Sequence, residues 1–150
     1  MNKVRLFFLI LLVSLLVLLQ SLGFSLLGIQ PNLALLAVIA ASFFVEDLLE
    51  GLFLVALSAL ILKFSPGFGK EILLFSLIGA ASVITRIHLP WRHFIVNLIL
   101  IAAGTLTFYL VLAPNLILGI IFLKELTLNL VFGALIFALF SALWQNKGLD

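Results

Sequence analysis

The sequence contains no cysteine, and its charged side chains are scarce. Without cysteine the chain cannot form disulfides, thiolate metal sites, thiol nucleophiles or palmitoyl anchors. Only 9% of its 150 residues are charged and 65% are hydrophobic, whereas a soluble domain has about 25% charged and about 45–50% apolar residues. A soluble fold of this size has no interior large enough for so much apolar surface. These features predict an all-α membrane protein with a single domain over residues 1–150.

The sequence also has few groups that support catalysis, metal binding or nucleic-acid binding. The formal net charge is only +2, and no cluster of Lys and Arg offers a surface for nucleic acid. His88 and His93 are the only histidines, and no spacing places a serine beside them as a nucleophile. A metal site of histidine and carboxylate is disfavoured because Arg86 and Arg92 would repel the cation. We expect neither enzymatic activity nor a cofactor.

The N-terminus has the features of a signal peptide, with basic residues before an apolar run over residues 6–19 and small residues at 21–23. The apolar stretch nevertheless continues to Leu27, which gives the roughly 20 residues that a spanning helix needs. Further hydrophobic segments follow it along the whole chain. We therefore expect the first segment to remain as a transmembrane helix.

Six hydrophobic segments are predicted to be transmembrane helices that pack as a bundle. They cover residues 4–22, 31–45, 51–64, 71–87, 94–112 and 125–144, with a breaker-rich turn at 65–70. The second and third segments are shorter than the roughly 20 residues of an upright span, so they form either short spans or a re-entrant pair. Residues 115–123 are apolar but few, and we expect an interfacial or partly inserted connector there.

The distribution of Lys and Arg predicts the orientation. Six spans place both termini on one side of the membrane. Basic residues are more numerous on that side, with Lys3, Arg5, Arg86, Arg92 and Lys147 against Lys63, Lys70 and Lys124. Because cytoplasmic loops carry the excess of Lys and Arg, both termini are predicted to be cytoplasmic.

An acidic link and a basic link fall on the same side in this topology. Glu46, Asp47 and Glu50 follow the second segment, and Arg86 and Arg92 follow the fourth. Opposite charges at an interface pair with modest strength where water reaches them. We expect these links to pair, either with each other or with a partner.

Small residues recur at the spacing of helix-packing faces, with Ala37 and Ala41 in the second segment and Ser58 in the third. Small side chains let helix backbones approach closely in lipid. Their commoner use is packing inside the bundle. The alternative is that a partner's transmembrane helix lies against Ala37, Ala41 or Ser58, because a neighbouring helix can relieve the mismatch of a short span.

Polar side chains inside the segments have two possible roles. Asn97, with Gly104 on the same face, and Asn129 would either line a small polar pocket or form hydrogen bonds between helices. No Asp, Glu or Lys lies in the middle of a segment, and transporters coupled to ions or protons usually keep such a group. The sequence therefore disfavours a pump.

Residues 30–36, Gln-Pro-Asn-Leu-Ala-Leu-Leu, together with a later Glu-Gly pair and the Gly/Pro turn before the fourth segment, resemble the MreD family. The matching residues are Pro31, Asn32, Glu50 and Gly51. The likeness runs from residue 30 to the C-terminus. The chain departs from the family at residues 46–49, where Arg-Gly is common, and at Lys63, where Asp is common.

The resemblance implies a non-enzymatic scaffold subunit of the bacterial cell-shape and peptidoglycan elongation machinery in the cytoplasmic (inner) membrane. It implies MreC as a membrane partner, with RodA, a class B penicillin-binding protein and MreB in the same complex. MreD is also similar in architecture to the S-components of energy-coupling-factor vitamin transporters, so a six-helix, S-component-like bundle is expected. Binding of a vitamin-sized ligand, as in those S-components, is the alternative function.

Overall fold

The fold is taken from a computed structural model, which describes residues 3–64, 69–88, 93–117 and 119–145. Within these ranges the chain is built from α-helices and has no strand, which confirms the all-helical prediction. The helices are α1 (Lys3–Ser21), α2 (Leu33–Ser42), α3 (Leu48–Lys63), α4 (Lys70–His88), α5 (His93–Leu112) and α6 (Ile120–Gln145), with a short 3-10 helix over Pro114–Leu116. Most of the predicted turn at 65–70 lies outside the described residues.

The short helix α2 forms the centre of the bundle. All of its 10 residues are buried, and it contacts each of the other five α-helices. A helix that is apolar on every side, as its Leu-Ala-rich sequence is, belongs inside a protein or a membrane bundle. Asn32 caps its N-terminus, because the Asn32 side chain accepts a hydrogen bond from the Leu35 backbone N–H at 3.2 Å.

The helices α5 and α6 pack antiparallel, and hydrogen bonds between their side chains and backbone fix the register. From one end to the other, Asn97 Nδ2 donates to the Gly133 carbonyl at 3.5 Å, Asn129 Nδ2 donates to Thr105 Oγ1 at 3.1 Å, and the Tyr109 hydroxyl donates to Glu125 Oε2 at 2.5 Å. Asn97 and Asn129 are fully buried and lie at different levels of the pair. They therefore join helices and do not line one shared pocket.

Among the helices of the described ranges, three are long and apolar enough to cross a membrane, namely α1, α5 and α6. Their outer faces carry large apolar side chains, among them Phe7, Leu110 and Leu135, which are 62%, 54% and 61% exposed. A water-soluble monomer rarely exposes apolar patches of this extent. The length and composition of these helices and their exposed apolar side chains indicate a membrane protein.

The predicted bounds of three helices were wrong. The helix α3 begins at Leu48 and not at residue 51. The helix α6 starts at Ile120, and so it includes much of the stretch expected to be a connector. Glu125, predicted to begin the last segment, lies inside α6, where its carboxylate accepts a hydrogen bond from the Tyr109 hydroxyl. The helix α2 is shorter than predicted. Asn32 caps its start, and its end is closed by bonds from the Phe43 N–H to the Ala40 carbonyl and from the Phe44 N–H to the Ala41 carbonyl.

Candidate functional site

The bundle has two polar ends, which we call the terminal end and the distal end. The terminal end holds the start of α1 and the end of α6, where Arg5 and Trp144 line one groove. The α2–α3 link and the end of α4 meet there too, because Arg86 Nη2 donates to the Glu46 carbonyl at 3.4 Å. The distal end holds the start of α2, where Gln20 of α1 meets it.

At the terminal end, the structure brings the acidic link and Arg86 together through a backbone contact. Arg86 is half-buried and reaches the Glu46 carbonyl oxygen. Glu50 Oε2 accepts a hydrogen bond from the Glu46 N–H at 3.3 Å, so Glu50 stabilises the turn that leads into α3. Arg92, the other predicted basic partner, lies outside the described residues.

An aromatic cluster lies beside this link. The ring centroid of Phe44 lies 5.3 Å from that of Phe137, 5.9 Å from that of Phe140 and 6.0 Å from that of Trp144. Phe43 packs edge-on against His93 at 5.7 Å. These rings fix the end of α2 against α6 and the start of α5, and they make the terminal end rigid.

At the distal end, a buried polar layer surrounds the start of α2. Gln20 Oε1 accepts a hydrogen bond from the Ala34 N–H at 2.7 Å, and Asn129 Oδ1 accepts one from the Asn32 N–H at 3.0 Å. Side chains from α1 and α6 thus satisfy backbone donors that a helix start leaves without partners. The layer orients α2 relative to both neighbours.

A small cavity opens beside this layer. Its volume is about 210 Å³, and its polar lining groups are Asn32, Tyr109 and Glu125. Ligand pockets usually measure about 300–1,000 Å³, so the cavity has room for a group of a few atoms. Sequence reasoning missed Tyr109 and Glu125 as a pair. The spacing of Tyr109 from Thr105, matched by that of Glu125 from Asn129, was the available signal, since residues four apart share a helix face.

The small residues proposed to hold a partner helix lie inside the bundle. Ala37, Ala41 and Ser58 are each 0% exposed. Within the single chain these three side chains pack against its own helices, and binding of a partner helix at them stays a prediction. Of the two uses of small side chains, internal packing is the one observed.

The residues that match the MreD pattern have structural surroundings that account for them. Pro31 is buried just before α2, and Asn32 is its cap. Gly51 lies where α3 crosses α4, and a Cβ atom there would be 2.6 Å from Val83 Cγ1. These residues set helix ends and helix spacing.

An open groove runs along the outer face between α4 and α5. Its volume is about 420 Å³. Its walls include the small side chains Ala81 and Thr85 on α4 and Ala103 and Thr107 on α5. Each pair is four residues apart and so occupies one helix face. Unlike the α2 face, this surface is accessible, because Ala81 and Ala103 are exposed.

Among the described residues, no group of three or more His, Cys, Asp or Glu side chains is placed to hold a metal ion. Comparisons with protein-family models, with curated proteins and with solved structures found no match for this chain.

Proposed function

We propose that this chain is a non-enzymatic scaffold of the MreD type, with six membrane spans and both termini in the cytoplasm of a bacterium. Its role is to hold the transmembrane helix of a single-pass partner such as MreC beside RodA, a class B penicillin-binding protein and MreB. The α4–α5 groove is the observation that supports this role best. The resemblance of the Pro-Asn and Glu-Gly motifs to MreD supplies the partner names.

The groove offers an incoming helix a strip of small side chains, Ala81, Thr85, Ala103 and Thr107, between larger ones such as Leu77 and Leu100. The strip carries little unsatisfied polarity. The Thr107 hydroxyl donates to the Ala103 carbonyl at 2.8 Å, and the Ser82 hydroxyl donates to the Ile78 carbonyl at 2.8 Å. A helix seated on this strip comes close at the alanines and threonines, and the larger leucines flank it. Close approach is the main source of helix association in lipid, where no hydrophobic drive exists between helices.

Bulk added to the groove tests the proposal. Ala81→Leu and Ala103→Leu place a large side chain on each wall, and Ala138→Leu makes the same change on an exposed part of α6. Co-purification with MreC is measured at matched membrane abundance. We expect recovery to fall about tenfold for the two groove variants, the factor that a loss of about 1.4 kcal/mol gives, and to be unchanged for Ala138→Leu. Undiminished recovery from both groove variants would refute the groove as the interface.

Single cysteines test the orientation, since the native chain has none. Gly69 is exposed just before α4, and His88 is exposed at its end. Gly69→Cys should react with an impermeant thiol reagent in whole cells, and His88→Cys should react only after the cells are opened. Labelling of both positions from outside would contradict the proposed inside position of the α4–α5 link.

The alternative function, vitamin binding as an S-component, is favoured by one observation, the polar cavity at the distal end. Its carboxylate, phenol and amide converge as in a ligand site, but its volume is below the usual range. Native mass spectrometry of the purified chain distinguishes the two functions. A stoichiometric vitamin-sized adduct lost on Glu125→Gln would reverse their order.

A further inference from the structure

A second groove lies on the lipid-facing surface, between the first turns of α1 and the last turn of α6. Its volume is about 510 Å³. Four of its lining side chains are apolar, Phe8, Leu11, Leu12 and Leu143. They form a continuous hydrophobic wall, and Arg5 and Trp144 complete the lining. The groove is amphipathic, because the Arg5 cation lies beside its apolar wall.

Arg5 has no hydrogen-bond or ion-pair partner among the residues that the structure describes. It is half-buried, and a cation at membrane depth is costly unless it reaches the interface or an anion. The Trp144 side chain also lacks a hydrogen-bond partner. Its indole N–H is buried and finds no acceptor in the described part of the chain, although a buried donor usually has one. Two donors beside the same groove thus lack an acceptor.

Large side chains line this groove on both helices. Phe8 and Leu11 are each 53% exposed and Leu143 is 55% exposed, so large side chains project into the space. A transmembrane helix packs best on small side chains, because its backbone has to come close. A flexible acyl chain follows a surface of large side chains without that requirement. The α4–α5 groove has large side chains in its lining as well, but only the α1–α6 groove of the two has a cation, Arg5, and an indole N–H, that of Trp144, beside its apolar wall.

We propose that the α1–α6 groove is a binding site for an anionic phospholipid. One acyl chain lies along Phe8, Leu11 and Leu143, and the phosphate meets the Arg5 guanidinium, whose planar donors match phosphate oxygens. An oxygen of the headgroup beside Trp144 supplies the missing acceptor. Basic pockets between transmembrane helices recognise anionic headgroups by this combination of charge and shape. The site does not depend on the proposed scaffold role or on a protein partner.

Lipid competition on the full chain tests the charge recognition. The purified protein is exposed to equimolar phosphatidylglycerol and phosphatidylcholine with identical acyl chains, and bound lipid is counted by native mass spectrometry. We expect the wild type to retain phosphatidylglycerol about fivefold over phosphatidylcholine, the factor for one basic residue near an anionic headgroup. Arg5→Gln should remove the preference, and Arg5→Lys should keep part of it.

Two further variants separate this groove from general surface charge. Lys3 is exposed near Arg5 on the same helix and does not line the groove, so Lys3→Gln removes the same charge and should leave the preference unchanged. Leu143→Trp narrows the α1–α6 groove and should lower the amount of both lipids that the protein retains. The proposal is overturned by equal losses from Arg5→Gln and Lys3→Gln. It is also overturned if the protein forms a dimer that Leu143→Trp dissociates, because the groove would then hold a second copy of this chain.

Discussion

The contact between Gly51 of α3 and Val83 of α4 leads to a quantitative prediction. A Cβ atom added at position 51 would lie 2.6 Å from Val83 Cγ1 and 3.2 Å from Cγ2. In an open part of a helix, Gly→Ala stabilises by about 1 kcal/mol. Here the added methyl has to displace Val83, which is fully buried and stiff about its first side-chain torsion.

The clash should outweigh the gain in helix propensity. Inserting a methyl into a packed site costs about 1–3 kcal/mol, so we expect Gly51→Ala to lose about 1 kcal/mol in net free energy of unfolding. Gly133→Ala is the matched comparison. Its added Cβ would overlap Ile101 Cδ1, but that atom is the end of a longer side chain and can rotate away. The loss at position 133 should therefore be smaller.

A double-mutant cycle isolates the contact. Val83→Ala alone leaves a cavity and should destabilise, but in the double variant the methyl added at position 51 has room. The two changes should therefore couple by about 1 kcal/mol in the favourable direction. Equilibrium unfolding in mixed micelles, with insertion checked separately, measures all four chains. A Gly51→Ala chain as stable as the wild type, with no coupling to Val83→Ala, would refute the close approach of α3 and α4.

Three further predictions concern the buried layer, the central helix and the α1–α2 loop. Asn129→Leu removes two hydrogen bonds and should lower the free energy of unfolding by about 1–3 kcal/mol. Thr105→Val removes one hydrogen bond and should lower it by about 0.6 kcal/mol. Equal losses for the two variants would contradict the observed hydrogen bonds. Ala37→Leu overfills the space around α2 and should lower the unfolding midpoint but leave insertion intact, and an unchanged midpoint would mean that this space is not filled. Leu27 has φ 54, so Leu27→Asn should gain about 1 kcal/mol, and a lower midpoint would exclude strain there.

The helices were largely predictable because each is an apolar run between breakers, and all but α2 are long. The first segment was predicted over residues 4–22 and is found over Lys3–Ser21, and the fifth was predicted over 94–112 and is found over His93–Leu112. The start of α6 was predicted wrongly, at Glu125 instead of Ile120. A carboxylate usually marks the end of a span, but Glu125 has a tertiary hydrogen bond from Tyr109, and a single sequence does not reveal such partners.

The roles of the polar and small residues were less predictable, for a physical reason. A face such as Ala37 and Ala41 has the same spacing whether it meets a helix of its own chain or a partner's helix, and only the packing decides. Ala81 and Ala103 remain accessible, but the sequence pattern around them is no clearer than that around Ala37 and Ala41. Their exposure follows from how α4 and α5 flank the central helix.

The central position of α2 also changes the argument about its length. A helix of 10 residues is about 15 Å long, roughly half of the hydrocarbon thickness, and such a mismatch was expected to be relieved by a neighbouring chain. Mismatch acts on surfaces that meet lipid, and every residue of α2 is buried by the other helices. The short helix needs hydrogen-bond acceptors for the backbone N–H groups of its first turn, because it begins where no water reaches them. Gln20 supplies this, since its side chain accepts the hydrogen bond of the Ala34 N–H. The need for a partner helix therefore does not follow from the length of α2, and binding has to be sought where side chains reach the outer surface, in the two grooves.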